Sequence, residues 1–206
     1  MRIIRGKFKG LKLQPPVDFS IRPTSDRLKE SLFSILESNK YNIKIQNSNV
    51  IDICSGTGAL GIEALSRGAK LIYFIDKDPK AINVLQKNIS KLKIDCNDET
   101  HIKIIRDDAN IALQNIKNNF DIVLIDPPYN SNVIEECLVK LRQYSLIDFN
   151  SYIFAESSKK EMKNECVNFY AKNIDKKSKP LNGLVDFLKW SKLKNISMAV
   201  CTNKQE

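Results

Sequence analysis

Between residues 50 and 156, short apolar runs alternate with segments whose apolar residues recur at helical spacing, and this order restricts the fold more than any other feature of the 206-residue chain. Strands that alternate with helices form a parallel sheet covered by those helices, because each crossover must carry the chain back to the same end of the sheet. The strands expected are VIDI (50–53), LIYFID (71–76), HIKIIR (101–106), FDIVLID (120–126) and YIFAE (152–156). Continuous hydrophobicity, as in IVLI before Asp126, fits burial on both faces of the sheet. Between them, DPKAINVLQKNISKL places Asp78 as an N-cap and Pro79 at the first helical position, with Ile82, Leu85, Ile89 and Leu92 on one face. GALGIEALSRG ends on Gly68, which suits a C-terminal cap, and NVIEECLVKLRQY is amphipathic. Upstream, TSDRLKESLFSILE starts from a Thr24 or Ser25 cap and buries Leu28, Leu32, Ile35 and Leu36. Downstream, VNFYAKNI and LVDFLKW, joined by the basic loop DKKSKPLNG, are expected to pair as antiparallel strands that close the sheet.

The first residues, RIIRGKFKGLKL, hold two apolar runs separated by glycines, the pattern of a small β-hairpin bearing Arg2, Arg5, Lys7, Lys9 and Lys12. The expected organisation is a basic hairpin arm over 1–22, an α/β domain over 23–194 and a tail over 195–206. The net charge of +9 is concentrated in two flanks, residues 1–30 and 171–194, each at +5, whereas residues 31–170 sum to −1. Segregated basic flanks suit a polyanionic partner, since Lys and Arg displace counterions condensed on phosphates. The same excess also serves a lysine-rich, well-hydrated surface. No apolar run reaches the roughly 18 residues of a membrane span, and charges occupy the place of a signal peptide's apolar core, so a cytoplasmic chain without a membrane partner is expected. Cys54, Cys96, Cys137, Cys166 and Cys201 are scattered without a C-x-x-C pair. They encode neither a disulfide framework nor a metal site and read as small buried hydrophobes. His101, the single histidine, opens an apolar run and reads as structural. A mechanism built on Ser-His or metal-His pairs therefore has almost no material.

DICSGTGALG brings Gly56, Gly58 and Gly61 together in G-x-G-x-x-G spacing between an expected strand and a helix. Glycines there permit a tight turn and close approach to a nucleotide-like ligand. Asp76 ends the next strand about 20 residues on, where it can accept both ribose hydroxyls. NAD and S-adenosylmethionine both suit such a loop. A dinucleotide brings a pyrophosphate to the helix N-terminus, whereas S-adenosylmethionine brings an ammonium and a sulfonium that call for acids. Asp52 ends the first strand and can receive an amino group; Asp108 ends the third and either accepts an adenine amine or only caps the following helix. Three strand-end acids favour S-adenosylmethionine, with Lys77 and Ala109 beside them in the cofactor-binding set.

IVLIDPPYN, residues 122–130, closes the argument. Two prolines cannot continue a central strand, so it ends at Asp126, at the edge where parallel sheets bind ligands. There the Asp126 carboxylate and the Pro127 carbonyl can accept hydrogen bonds from an exocyclic amine, with Tyr129 stacking on its base and Pro128 stiffening the turn. Methylating such an amine needs its lone pair oriented rather than a strong base.

The D-P-P-Y stretch matches the amino-methyltransferase signature, in which Asp, Asn or Ser precedes two prolines and an aromatic residue. Together with RPTSDRLKESLF (22–33), DICSGTGALGIEALSRGA (52–69) and RIIRGKFKG, it resembles the RsmD family over roughly residues 1–156. The resemblance implies a Rossmann-like class I methyltransferase: a mostly parallel seven-stranded sheet with an antiparallel last strand and helices on both faces. It implies S-adenosylmethionine as donor and the N2 amine of one 16S rRNA guanine in the small ribosomal subunit as acceptor. Carried over by motif, Asp52, Gly56, Gly58, Asp76 and Asp108 bind cofactor, and Asp126, Pro127 and Tyr129 hold the guanine amine. Arg22, Pro23, Thr24 and Arg27 match an R-P-T-x-x-R stretch near the site, adding Arg22, Thr24 and Arg27 to the RNA-binding residues of the arm. The arm departs from the family at Arg5 and Leu11, where glycine and arginine are expected. Adenine N6 or a glutamine amide would suit the same D-P-P-Y chemistry. A non-catalytic RNA-binding assembly factor would need neither that motif nor the glycine loop. A monomer is expected.

Overall fold

The computed structural model describes residues 1–16, 26–37, 43–94, 100–128, 132–148, 150–157 and 197–202. The elements are α1 (Asp26–Leu36), β1 (Asn49–Ile53), α2 (Ala59–Ser66), β2 (Leu71–Asp76), α3 (Pro79–Ser90), β3 (His101–Arg106), α4 (Ala109–Ala112) continued by a 3-10 turn (Leu113–Asn115), β4 (Ile122–Ile125), α5 (Val133–Gln143), β5 (Tyr152–Ser157) and β6 (Ser197–Thr202). The strands form one sheet in the order β3-β2-β1-β4-β5-β6 with every neighbouring pair parallel. The order reverses direction at β1, between β2 and β4, and this is the switch point at which ligands meet parallel sheets. Among the described residues no helix is long and apolar enough to cross a membrane.

Strand alternation divides the core into two layers. On one face Ile51, Ile53, Tyr73, Ile75, Val123 and Ile125 pack against Leu113, Ile116 and the α5 residues Cys137, Leu138 and Leu141. On the other, Val50, Ile72, Phe74, Ile122 and Leu124 meet Leu32 and Phe33 of α1, Ile62 and Leu65 of α2, and Ile82 and Leu85 of α3. Helix α3 starts as its sequence dictates, with Pro79 in the first turn and the Asp78 carboxylate accepting from the Lys80 N–H at 2.9 Å. Helix α2 ends in a Schellman turn: Gly68 at φ 99° donates to Leu65 O at 3.0 Å, and Ala69 donates to Ala64 O at 3.1 Å.

Two expectations change and a third lies in part outside the described residues. Residues 1–16 are not a hairpin of regular strands. The two limbs of this segment still lie antiparallel: Arg2 bridges Lys12, and the N–H groups of Ile3, Gly10 and Leu13 donate to Leu11 O at 3.1 Å, Ile3 O at 2.8 Å and Met1 O at 3.2 Å, with turns between. Ile3 and Leu13 sink into the helical layer, and the fully buried Glu63 carboxylate accepts the N–H groups of Ile4 at 2.8 Å and Arg5 at 3.0 Å. Gly6, at φ 91°, passes so close that a Cβ would lie 1.8 Å from Ser66 O. Second, the described residues supply six strands, and the expected pair VNFYAKNI and LVDFLKW, part of the seven-strand count, lies outside them. Third, the last described strand is parallel: Ser197–Thr202, assigned above to a tail, aligns with β5 from Tyr152↔Ser197 to Ser157↔Thr202. The outer edge of β5 presents backbone groups that need partners. SMAVCT is a short run suited to a strand, and the intervening 158–196 is long enough for a parallel crossover.

Candidate active site

The glycine loop leaves β1 through strained backbone. Cys54 has φ 59°, in the left-handed region that costs a side-chain-bearing residue about 1–2 kcal/mol, and Gly56 and Gly58 follow at φ 53° and 82°. Asp76, at the end of β2, holds this turn from the side: its Oδ2 accepts the Gly56 N–H at 2.7 Å and its Oδ1 accepts the Asp78 N–H at 2.9 Å. A carboxylate offers about four lone-pair directions. Two therefore stay open for further donors such as a pair of hydroxyls.

Asp52 points from β1 toward α2, where its Oδ2 accepts the Gly61 N–H at 2.8 Å. The residue is 1% exposed. Burial pushes its carboxyl up to about 8, opposed by the Gly61 hydrogen bond and reinforced by the charges of Asp126 and Asp76. The three acids thus converge at the carboxyl ends of β1, β2 and β4. Asp126 is half-buried just past β4, and its N–H donates to Ile53 O at 3.3 Å, so it stands beside the start of the glycine loop. Pro127 is buried and Pro128 exposed; Tyr129, Arg22, Pro23 and Thr24 lie outside the described residues.

Asp108 is indeed a cap: its Oδ1 accepts the Asn110 N–H at 3.0 Å at the start of α4, where Ala109 is half-buried. Its other oxygen lies 3.7 Å from Lys77 Nζ. Capping and a ligand contact therefore do not compete for the same oxygen. Lys77 is exposed, so this ion pair contributes little to stability.

Gly58 and Gly61 have a physical reason that sequence reading missed. A Cβ at Gly58 would come within 2.3 Å of Leu85 Cδ1, and one at Gly61 within 2.3 Å of Phe74 Cε1 and 2.9 Å of Asp52 Oδ2. Close packing of the loop and α2 against α3 and the sheet requires both. Ser55 was not singled out by sequence, yet Ser55 Oγ and Asn110 Oδ1 are buried polar atoms without a hydrogen-bond partner among the described residues. They belong to the segments following β1 and β3, and buried polar atoms left open at a ligand edge suit a polar guest. Together with the acids, this donor and acceptor set fits S-adenosylmethionine: carboxylates for its cationic and hydroxyl groups, and polar atoms with hydrogen-bonding capacity remaining. Burial raises the thiol of Cys54 well above its ordinary value and that of Cys137 to about 12, which disfavours the thiolate of both.

The basic arm residues lie over α1 and α2. Arg2 pairs with Asp26 at 3.6 Å and Arg5 with Glu37 at 3.1 Å; Lys7 sits 5.6 Å from the Phe8 ring centroid, and Lys9 and Arg27 are exposed. His101 opens β3, where its N–H donates to Lys70 O at 2.8 Å.

Residues 1–180 match the family model described as conserved hypothetical protein 95. The chain is 35% identical over 161 residues to "Ribosomal RNA small subunit methyltransferase D" of Haemophilus influenzae, covering 77% of this chain and 79% of that one. It is also 35% identical over 160 residues to the protein of the same name from Buchnera aphidicola, covering 77% and 78%. Among solved structures, "Putative methyltransferase yhhF from Escherichia coli" superposes with a TM-score of 0.64 at 32% identity, over 76% of this chain and 80% of that one. With its parallel sheet, its acids at the switch point and these relatives, the chain belongs to the conserved hypothetical protein 95 family, that of the ribosomal RNA small subunit methyltransferase D proteins.

Proposed function

We propose that this chain transfers a methyl group from S-adenosylmethionine to the exocyclic N2 amine of one guanine in 16S rRNA of the small ribosomal subunit. The observation that carries the reading is the convergence of Asp52, Asp76 and Asp126 at adjoining strand ends around the glycine loop, where Asp52 accepts the Gly61 N–H at 2.8 Å, Asp76 accepts the Gly56 N–H at 2.7 Å and the Asp126 N–H donates to Ile53 O at 3.3 Å. Asp52 then receives the cofactor's ammonium, Asp76 its ribose hydroxyls and Asp108 its adenine amine, with Gly56, Gly58, Gly61, Lys77 and Ala109 shaping the surround. When bound, the cofactor supplies an electrophilic methyl group on a cationic sulfur. The chain's own residues position the acceptor. The Asp126 carboxylate and Pro127 carbonyl accept the two N–H groups of the guanine amine and turn its lone pair toward the cofactor edge, while Pro128 stiffens the turn and Tyr129 stacks on the base.

That guanine must leave its stack, since its amine is otherwise held within the minor groove. Residues 1–22 serve as the RNA-holding arm of a methyltransferase domain that starts at residue 23 and includes β6, with Arg22, Thr24 and Arg27 alongside, and the chain acts as a cytoplasmic monomer. The test is incubation with labelled S-adenosylmethionine and small-subunit particles from a strain lacking this protein, followed by nucleoside mass spectrometry. N2-methylguanosine is expected. N6-methyladenosine would move the acceptor to adenine, and no labelled nucleoside would remove rRNA as substrate. Asp126→Ala is expected to lower turnover by orders of magnitude while cofactor affinity stays near wild type; proportional loss of both would place Asp126 at the cofactor instead.

A further inference from the structure

Asn88, on the inner face of α3, is completely buried. Its Oδ1 accepts the Gln14 N–H at 2.6 Å, and its Nδ2 donates to Gln14 O at 3.2 Å and to Thr57 O at 3.1 Å. The amide orientation is imposed by its partners, since an N–H must face an acceptor and two carbonyls must face a donor. One side chain thus joins Gln14 of the basic arm to the residue between Gly56 and Gly58. A second contact has the same destination: Thr57 Oγ1 lies 3.9 Å from the Sδ of Met1, at the other end of the arm. The loop is therefore held from two sides, by Asp76 at the Gly56 N–H and by Asn88 at the Thr57 carbonyl.

This arrangement has a thermodynamic consequence. A segment with glycines at φ 53° and 82° has much conformational freedom to lose, and whatever already restrains it lowers the ordering cost of the next ligand. RNA that clamps the arm restrains Gln14, and through Asn88 it restrains Thr57; cofactor seated on the loop restrains Thr57, and through Asn88 it restrains Gln14. We propose that Asn88 is a positioning residue that couples the RNA-holding arm to the cofactor loop, so that RNA and cofactor bind with positive cooperativity. The proposal rests on the functional reading above and adds a link between its two binding sites. Linkage makes the effect reciprocal: the factor by which cofactor tightens RNA equals the factor by which RNA tightens cofactor.

The experiment measures binding of unmethylated 16S rRNA to the full-length protein with and without saturating S-adenosylhomocysteine. In the wild type the product is expected to tighten RNA binding about tenfold, within the usual range of coupling factors. Asn88→Ala is expected to reduce that factor to less than about twofold, with each ligand still bound by the variant alone. Asn88→Asp, as the carboxylate, keeps an acceptor for the Gln14 N–H but loses the donors to Gln14 O and Thr57 O, so one tie to the arm remains while coupling disappears. An amide that only stabilises the fold would lower the melting temperature of both variants and leave the coupling factor intact, and that result overturns the proposal. So does a wild type that binds both ligands independently, a measurement that needs no variant to fold. Failure of S-adenosylhomocysteine to bind at all would remove the functional reading and this inference with it, whereas binding of both ligands without coupling removes the inference alone.

Discussion

Replacing Gly61 by Ala asks whether α2 is pressed against the sheet as tightly as the distances imply. In an isolated helix this change stabilises by about 1 kcal/mol, because glycine loses more backbone freedom on folding than alanine. Here the new methyl would lie 2.3 Å from Phe74 Cε1, more than 1 Å inside normal carbon contact, and Phe74 is fully buried. The ring cannot swing into solvent, so either α2 lifts or the ring leaves its rotamer, at a cost of about 1–3 kcal/mol. The methyl would also sit 2.9 Å from Asp52 Oδ2, displacing the carboxylate whose hydrogen bond to the Gly61 N–H measures 2.8 Å. The net expectation is a destabilisation of about 1 kcal/mol in urea unfolding, together with roughly tenfold weaker S-adenosylmethionine binding by calorimetry, the scale of one misaligned hydrogen bond. A variant that is more stable than wild type and binds cofactor equally would show that α2 has room to spare. The packing account of Gly61 would then be wrong.

Asp76→Ala removes the acceptor of two backbone N–H groups, at 2.7 and 2.9 Å, and should cost about 1.5–3 kcal/mol of stability and a comparable amount of cofactor affinity, read by urea titration and calorimetry; unchanged cofactor affinity would leave Asp76 as a brace for the loop alone. Because the Asp52 carboxyl is raised from 3.8 to about 8, the folded protein holds a proton there that the unfolded chain releases between those values, so this group's contribution to stability falls as pH rises through that window. An ammonium paired with Asp52 requires the ionised form, so S-adenosylmethionine affinity should rise from about pH 6 to about pH 8, with proton release on binding seen as a buffer-dependent calorimetric enthalpy; affinity flat across that range would dissociate Asp52 from the ammonium. Neutralising Arg2, Arg5, Lys7 and Lys9 together should flatten the plot of log RNA affinity against log salt by about 2 units rather than the full count of charges, since Arg2 and Arg5 are already engaged by Asp26 and Glu37. An unchanged slope would rule out the arm as the RNA contact.

The sequence by itself determined the sheet's central strands, because fully buried parallel strands must be continuously apolar and LIYFID, IVLI and VIDI have few alternatives. It also determined where Asp76 and Asp126 would stand, since an Asp that closes a strand before a turn lies at the ligand edge, whereas the burial of Asp52 under α2 was decided by packing. Local chemistry marked the start of α3 at Asp78-Pro79 and the end of α2 at Gly68 for the same reason: caps are decided by residues within one turn. What only the tertiary structure decided involves partners far apart in the chain. Gly61 is needed because of Phe74, and Gly6 because of Ser66. Glu63, which in sequence is an ordinary charged position on a helix, is buried because it accepts N–H groups 58 and 59 residues away. Asn88 reads as a polar residue on an amphipathic helix until Gln14, 74 residues away, and Thr57, 31 away, are brought to either side of its amide. Periodicity reports which face of an element is apolar; it carries no signal for a buried polar group, whose place depends on which unsatisfied backbone atoms the finished fold brings against it.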